Sequence, residues 1–263
     1  MRLATWNINS VRLRMPIVAQ FTESHKPDVL CLQETKVEAS KFPLEDIKAL
    51  GYEHVLFRGM KGYNGVAVLS RLPIEDAGSR DWAGKQDCRH LAVDVDGKLV
   101  LHNFYVPAGG DEPDPEVNEK FDHKLRFVDE MRDWFESARK ATKPMVLVGD
   151  LNIAPVENDV WSHKQLLKIV SHTPVEVEKL TAVQNGMKWV DAVRARIPEP
   201  EKVYSWWSYR SRDWQAADKG RRLDHVWVTA PLADAVAGVD IVKDARGWEK
   251  PSDHVPVIVD FDL

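Results

Sequence analysis

The chain has 263 residues, of which 44% are hydrophobic, and a formal net charge of −5. This size and apolar content suffice for a large core, and no Ser/Gly linker divides the sequence, so we expect residues 1–263 to form a single domain. The two cysteines exclude a disulfide framework, and no apolar run is long enough to span a membrane. The first ten residues do not resemble a secretory signal, so we expect a soluble, cytoplasmic protein.

Short apolar or alternating runs predict strands along the whole chain. They cover residues 2–6, 28–32, 65–69, 90–94, 99–105, 145–148, 223–228 and 255–261. The pair Asn64-Gly65 before the third run and the pair Asp96-Gly97 between the fourth and fifth are typical of hairpin turns.

Helices are predicted between these strands. Apolar residues three or four positions apart predict a long helix over residues 116–141, and Pro16 indicates the first turn of another that ends near residues 25–27. Many strands with dispersed helices favour two sheets packed on each other with helices outside. The similar segments at 6–9 (Trp-Asn-Ile-Asn) and 150–153 (Asp-Leu-Asn-Ile) hint at two related halves.

Polar side chains follow or interrupt several of the predicted strands. They are Asn7, Glu34, Tyr105, Asp150, Asn152, Asp224, Asp253 and His254. Asp and Asn at a strand end can be ordinary turn formers, but Glu is not a turn former, and a charge inside an apolar strand needs a partner. If these strand ends meet at one edge of a sheet, their oxygen ligands favour Mg²⁺ over zinc. A carboxylate beside a histidine also suits phosphoryl chemistry.

A basic cluster lies between residues 210 and 222. It contains Arg210, Arg212, Lys219, Arg221 and Arg222, against Asp213 and Asp218. A solvated loop and a nucleic-acid contact are both consistent with this pattern, and the negative net charge argues mildly against nucleic-acid binding.

Motifs along almost the whole chain resemble the exonuclease III branch of the endonuclease/exonuclease/phosphatase superfamily. They are Thr-Trp-Asn-Ile-Asn at 5–9, Leu-Cys-Leu-Gln-Glu-Thr-Lys at 30–36, Gly-Tyr-Asn-Gly-Val-Ala at 62–67, Gly-Asp-Leu-Asn-Ile-Ala at 149–154, Tyr-Ser-Trp-Trp-Ser-Tyr-Arg at 204–210, Arg-Leu-Asp at 222–224 and Ser-Asp-His-Val-Pro at 252–256. The resemblance implies an α/β fold, a four-layer α-β-β-α sandwich in which two mixed sheets are flanked by helices.

The resemblance also implies an activity and residue roles. The expected enzyme is a monomeric, Mg²⁺-dependent phosphodiesterase, with Mn²⁺ as a substitute, that incises duplex DNA 5′ to abasic sites and processes damaged 3′ ends. The implied catalytic residues are Tyr105, Asp150, Asn152, Asp224 and His254. The implied metal-side residues are Asn7, Glu34, Asp150, Asn152 and Asp253. The implied DNA contacts are Lys36, Trp206, Arg210, Arg212, Arg221 and Leu223.

The resemblance also implies a pocket for a base-free sugar, where this sequence matches the family at one position and departs from it at two. Trp206 occupies the place of the pocket's aromatic wall, and alternation puts Trp206 and Trp207 on opposite faces of a strand, so one of them is expected in the core. Arg221 stands where relatives have an apolar or aromatic residue, and the loop 107–110 lacks the amide side chain of relatives.

Two other functions remain open at this stage. The chain could be another phosphodiesterase of the superfamily, such as a nonspecific DNase or a phosphoester hydrolase. A catalytically inactive DNA-binding module is the other alternative, but it should have lost at least one of Glu34, Asp150, Asp224 or His254, and all four are present.

Overall fold

The computed structural model describes all residues from 1 to 263. Its strands in chain order are β1 (Arg2–Asn7), β2 (Val29–Gln33), β3 (His54–Arg58), β4 (Val66–Ser70), β5 (Ile74–Gly78), β6 (His90–Val95), β7 (Leu99–Tyr105), β8 (Met145–Asp150), β9 (Val190–Asp191), β10 (Trp206–Trp207), β11 (Gly220–Arg221), β12 (Asp224–Val228), β13 (Val236–Ile241) and β14 (Val257–Phe261). The helices are α1 (Val11–His25), α2 (Leu44–Ala49), α3 (Glu119–Ala138), α4 (His163–Leu166), α5 (Pro174–Met187), α6 (Ala192–Arg196), α7 (Trp214–Ala217) and α8 (Ala230–Ala233).

The strands form two six-stranded sheets and one short ribbon. The first sheet has the order β13-β14-β1-β2-β4-β3, and the second has the order β5-β6-β7-β8-β12-β9. Each sheet has one parallel pair at its centre, β1 with β2 and β7 with β8, between antiparallel neighbours. Both are therefore mixed sheets. When the second sheet is read from its β9 edge, the two sheets have the same pattern of parallel and antiparallel neighbours, and β8 takes the place of β1. This agrees with the two related halves that the repeated segments suggest.

The largest apolar cluster is formed by the facing sides of the two sheets. It joins residues such as Leu3 and Val29 of the first sheet to Leu101 and Val148 of the second, all at most 3% exposed. Helix α1 packs in a second cluster on the outside of the first sheet, and α3 and α5 pack in a third cluster on the outside of the second sheet. Burial of apolar surface thus holds four layers together in the order helix, sheet, sheet, helix. This confirms the predicted fold class.

Helix boundaries differ from the sequence prediction. Helix α1 begins at Val11, five residues before Pro16, because the end of the neighbouring strand β2 supplies acceptors for its first turn: Val11 N–H donates to Thr35 O at 3.1 Å. Pro16 therefore lies inside the helix rather than in its first turn. Helix α3 is shorter than predicted at both ends and begins after Asn118, whose side chain accepts from Lys120 N–H as an N-cap.

The predicted strands are all present within two residues at each end, but six other strands lie outside the predicted runs: β3, β5, β9, β10, β11 and β13. Strands β9, β10 and β11 have only two residues each. Strands β3, β5 and β13 all lie at sheet edges. They are only partly buried, so their positions do not impose the longer apolar pattern of the central strands. None of the helices combines the length and the apolar composition needed to cross a membrane.

Candidate active site

Strand pairing brings the polar strand ends together. Asp150, the last residue of β8, lies opposite Tyr105 of β7 on one side and Asp224 of β12 on the other. Asn7 ends β1 in the other sheet and donates from Nδ2 to Asp150 Oδ2 at 2.8 Å. The two central strands thus meet at their carboxyl ends through a buried hydrogen bond. A site predicted from strand ends therefore exists at the edge between the sheets.

Glycine at position 149 lets strand β8 approach β7 closely just before Asp150. Gly149 has a φ of +135°, and a Cβ placed on it would lie 1.9 Å from Phe104 O. Any other residue would push the strand end away from β7 and shift the Asp150 carboxylate.

The imidazole of His254 lies between two carboxylates. Its Nδ1 lies 2.8 Å from Asp224 Oδ2, and its Nε2 lies 3.6 Å from Asp150 Oδ2. Burial opposes the charged imidazole, but the negative charges of Asp224 and Asp150 prevail and raise the pKa of His254 to about 10. His254 is therefore a buried cation at neutral pH, held by Asp224.

The carboxylate of Asp150 is buried and is fixed by an amide. Asn152 donates its backbone N–H to Oδ1 at 2.9 Å and its side-chain amide to Oδ2 at 3.0 Å. Burial, aided by the charges of Asp224 and Glu34, raises the pKa of Asp150 to about 7, although His254 and the Asn7 hydrogen bond act against this. A carboxyl with this pKa can both accept and release a proton near neutral pH.

Glu34 lies on the first sheet's side of the site. It follows β2 with a φ of +51°, a conformation that glutamate rarely adopts and that a fixed site can impose. Tyr105 donates its hydroxyl hydrogen to Glu34 Oε1, and Lys36 Nζ lies 2.8 Å from Oε2. Burial disfavours the carboxylate, but these partners, Lys36 first, lower the pKa of Glu34. Glu34 is thus an anion whose oxygens already attract a cation.

Asp253 lies beside the wall of the cavity described below. Trp206 Nε1–H donates to Asp253 Oδ2 at 2.9 Å, and Asn9 Nδ2–H donates to Oδ1 at 3.1 Å. Burial opposes ionisation, yet the His254 charge and these two hydrogen bonds lower the pKa of Asp253.

The donor set fits a hard cation. The ligand atoms of Asp150, Asp224 and His254 lie within 4.8 Å of one another. Asp224 Oδ1 is buried without a hydrogen-bond partner, so one anionic oxygen at the site lacks a counterpart. Together with Glu34, the cluster concentrates three carboxylates around one imidazolium, and a bound divalent cation would favour their ionised forms. The site can hold a metal ion, with oxygen as the main ligand atom.

A cavity of about 740 Å³ opens beside these groups. Its lining includes the site residues Glu34, Asp150, Asn152, Asp253 and His254 and the predicted DNA contacts Trp206, Arg210, Arg221 and Leu223. Trp207 is 2% exposed and packs in the core behind the first sheet, so the two tryptophans do face opposite ways.

Two predicted DNA contacts lie outside that cavity lining. Lys36 pairs with Glu34 and also donates to Asn9 Oδ1 at 2.7 Å. Arg212 is exposed on the loop between β10 and α7.

Arg222 of the basic cluster does not face solvent, which corrects the interpretation of this cluster as one exposed surface. It is 1% exposed, its Nε lies 2.7 Å from Asp159 Oδ1, and its Nη1 lies 2.7 Å from Asp191 Oδ2. A phosphate contact by Arg222 is therefore excluded, because alternation turns its side chain away from the cavity that Arg221 and Leu223 line.

Two serines of the site were missed. Ser205 Oγ donates to Asp224 Oδ2 at 2.6 Å, and Ser252 Oγ donates to Asn7 O at 2.6 Å. Both serines lie within quoted motifs, at 204–210 and 252–256. Their place within these motifs was the one sequence feature that could have identified them, because a buried hydroxyl group has no characteristic sequence pattern.

Comparison with known proteins identifies the family. The model of the endonuclease/exonuclease/phosphatase family matches residues 4–254. Exodeoxyribonuclease III of Haemophilus influenzae is 31% identical, with 99% of this chain and all of the relative covered. The DNA-(apurinic or apyrimidinic site) endonuclease of Dictyostelium discoideum is 28% identical, over all of this chain and 71% of the relative.

Solved structures agree with this assignment. An AP endonuclease from Archaeoglobus fulgidus matches with a TM-score of 0.93 and 33% identity, and both chains are covered completely. The 3′ phosphatase NExo from Neisseria, bound to a product DNA hairpin, matches with a TM-score of 0.89 and 29% identity, also over both full chains. The chain belongs to the endonuclease/exonuclease/phosphatase family, in its exonuclease III/AP endonuclease branch.

Proposed function

We propose that this protein is a Mg²⁺-dependent DNA phosphodiesterase that incises duplex DNA 5′ to abasic sites and removes nucleotides or blocking groups from 3′ ends. The observation that carries the proposal is the placement of His254 between Asp224 and Asp150 on the wall of a cavity that Trp206 also lines. The similarity to an exodeoxyribonuclease III and to AP endonucleases supports the choice of DNA as substrate.

Two residues have different proposed roles: His254 stabilises charge, and Asp150 accepts a proton. His254, as a cation, stabilises the negative charge that develops on the phosphoryl oxygens, and Asp224 holds its ring by the 2.8 Å hydrogen bond. Asp150, with its pKa near 7, orients the attacking water and accepts its proton. Asn152 holds Asp150 in place, and Tyr105, whose hydroxyl donates to Glu34, would contact the phosphate or the leaving oxygen.

Glu34, Asn7, Asp150, Asn152 and Asp253 are the residues we propose to hold Mg²⁺ or, in its place, Mn²⁺. When bound, the ion supplies positive charge that polarises the phosphoryl group and neutralises the leaving oxygen. Glu34 contributes an anion, and a bound metal would take the place of its present partner, the partly exposed Lys36.

Metal dependence is tested by chelation. We expect excess chelator to abolish hydrolysis and Mg²⁺ or Mn²⁺ to restore it, with Glu34→Ala shifting the Mg²⁺ requirement upward. Full turnover in chelator would show that no divalent ion is needed.

The cavity is proposed to bind the nucleotide on the 3′ side of the cleaved bond. Trp206, Leu223 and Arg210 line the cavity. The proposed roles are an apolar wall of Trp206 and Leu223 for a deoxyribose without a base, and contacts of Arg210, Arg212 and Lys36 with backbone phosphates. The substrate is tested by product analysis on duplex DNA with one abasic analogue and on an undamaged duplex with a recessed 3′ end. We expect a nick 5′ to the analogue with a 3′-hydroxyl. Random cleavage of undamaged duplex would favour a nonspecific DNase instead.

We further propose that the whole chain acts as one domain, as a monomer in the cytoplasm. One apolar cluster spans both sheets, and residues from the first and last strands, such as Arg2 and Asp260, form an ion pair at 2.8 Å, which supports a single folding unit. Light scattering of the purified protein gives the oligomeric state.

A further inference from the structure

Arg221 is a largely buried cation in the cavity wall that forms no ion pair. Its Nη1 donates to two neutral acceptors, Val170 O at 3.0 Å and Ser171 Oγ at 2.8 Å, and its Nε is buried without a partner. Glu176, the carboxylate whose charge acts on Arg221, is itself paired with the fully buried Lys124. A desolvated charge with only neutral partners is costly, so an anion that enters the cavity gains from meeting it.

The guanidinium is held in a fixed orientation. Arg221 of β11 lies directly opposite Trp206 of β10, and its guanidinium carbon lies 5.1 Å from the Trp206 ring centroid. This cation–π contact and the two hydrogen bonds of Nη1 leave Nη2 as the donor available to a ligand, next to the buried Nε. The donor fork of arginine matches the geometry of a phosphate.

Arg221 also lies close to a catalytic residue. It precedes Asp224 by three residues, so their Cα atoms lie at most about 11 Å apart. Both Arg221 and the catalytic groups line the same cavity. A nucleotide whose 5′ phosphate lies at His254 would therefore share this cavity with Arg221.

We propose that Arg221 binds the phosphate on the 3′ side of the nucleotide in the cavity. This inference rests on the proposed function, because it takes the group at His254 to be the scissile phosphate of DNA. An internal abasic nucleotide carries a 3′ phosphate, whereas a 3′-terminal nucleotide ends in a hydroxyl. Arg221 thus favours incision within a strand over removal of terminal nucleotides, and a neutral residue at this position lacks that preference.

The test compares two duplexes that differ at one linkage. Both contain one internal abasic analogue, and in the second the linkage 3′ to the analogue is an uncharged methylphosphonate. We expect the wild-type protein to incise the charged duplex roughly ten- to a hundredfold faster, as judged by kcat/KM, since a hydrogen bond to a charged group is worth about 1.5–3 kcal/mol. In Arg221→Gln the two duplexes should be incised at nearly equal rates, and Arg221→Lys should restore part of the difference.

Lys219→Met is the matched control. Lys219 also lines the cavity and its Nζ lies 4.6 Å from the Trp161 ring centroid, but it is exposed. Its loss should slow both duplexes by one common factor and keep the wild-type ratio between them. Melting temperatures of all variants show whether each is folded, and the rate ratio is independent of the amount of folded enzyme.

The outcomes separate this inference from the proposed function. Arg221 does not bind this phosphate if the wild-type protein incises both duplexes equally fast, or if Arg221→Gln slows both by the same factor. Either result leaves the protein an abasic-site endonuclease. A wild-type protein that incises neither duplex, yet hydrolyses another phosphodiester, contradicts the proposed function itself.

Discussion

At the scale of single residues, the proposed chemistry depends on Asp150 and His254. Asp150→Asn keeps the shape of the side chain but removes its charge, and His254→Asn removes the buried cation. We expect turnover to fall roughly 10²- to 10⁴-fold in Asp150→Asn, which loses a proton-transfer group, and roughly 10²- to 10³-fold in His254→Asn, which loses a charge-stabilising group. Single-turnover rates on a bound abasic duplex measure this loss.

DNA binding provides the control for both variants. Both substitutions leave Trp206, Leu223 and Arg210 of the cavity wall unchanged, so the duplex should still bind, and Asp150→Asn should bind more tightly because it no longer repels phosphate. A variant that binds DNA much more weakly, but whose bound complex reacts at the normal rate, would contradict the assigned roles.

The two adjacent tryptophans should respond oppositely to truncation. Trp206 is half-buried in the cavity wall, so Trp206→Ala should slow abasic-site incision roughly ten- to a hundredfold, in line with about 1–3 kcal/mol for a lost stacking contact. Trp207 is 2% exposed, so Trp207→Ala should instead destabilise the fold by about 3–5 kcal/mol. Melting temperature and incision rate are measured for both.

Trp206→Phe refines this comparison. It keeps an aromatic face but removes the N–H that donates to Asp253 at 2.9 Å. If Trp206→Phe incises near the wild-type rate, the slower incision of Trp206→Ala is due to loss of the apolar wall. If Trp206→Phe is as slow as Trp206→Ala, the cause is loss of the hydrogen bond to Asp253. If Trp206→Ala slows incision no more than its loss of stability accounts for, the pocket assignment is wrong.

At the scale of elements, the segment from β10 to β12 divides its arginines between solvent and core. Arg210 and Arg212 are exposed, whereas Arg222 is enclosed by Asp159 and Asp191. Replacing Arg210 or Arg212 with Gln should lower the slope of log affinity against log salt by about one unit per lost phosphate contact. Arg222→Gln should leave that slope unchanged and lower the melting temperature, because the buried Asp159 and the partly buried Asp191 each lose an ion pair. Unchanged slopes in both exposed variants would identify the segment as solvated surface.

At the scale of the whole molecule, buried histidines make the fold sensitive to acid. Burial lowers the pKa of His102 to about 3 and that of His225 to about 4, and it also lowers the pKa of His90. The unfolded chain binds these protons near pH 6.5, so stability is present above that pH and is lost as the pH falls towards 4. Asp150, whose pKa is raised to about 7, acts in the opposite sense over the same range and offsets one of the three.

His102→Phe tests this pH dependence. His102 packs edge to face against Phe135 and hydrogen bonds only to His90, so phenylalanine fits the site with little change of shape. The variant should lose stability less steeply between pH 6.5 and 4, by about 1.4 kcal/mol per pH unit for the one proton removed. Denaturant unfolding at several pH values measures the slope, and identical slopes in the two proteins would show that His102 is not buried in its neutral form.

The sequence by itself determined the layers of the fold and predicted the residues of the candidate site. Core strands carry an apolar pattern because both of their faces are covered, and Asp150, Asp224 and His254 stood out because polar groups interrupt those patterns. The edge strands β3, β5 and β13 carried no such pattern, because partial burial places few demands on their side chains.

Only the tertiary structure decided which partner each charged group has. Arg221 and Arg222 are adjacent and chemically identical in the sequence, yet one lies on the cavity wall against Trp206 and the other lies between Asp159 and Asp191. The start of α1 at Val11 likewise depends on an acceptor, Thr35 O, supplied by the segment after β2. The partners of a charge or of an unpaired N–H group come from segments distant along the chain, and their positions are fixed only when the two sheets pack together.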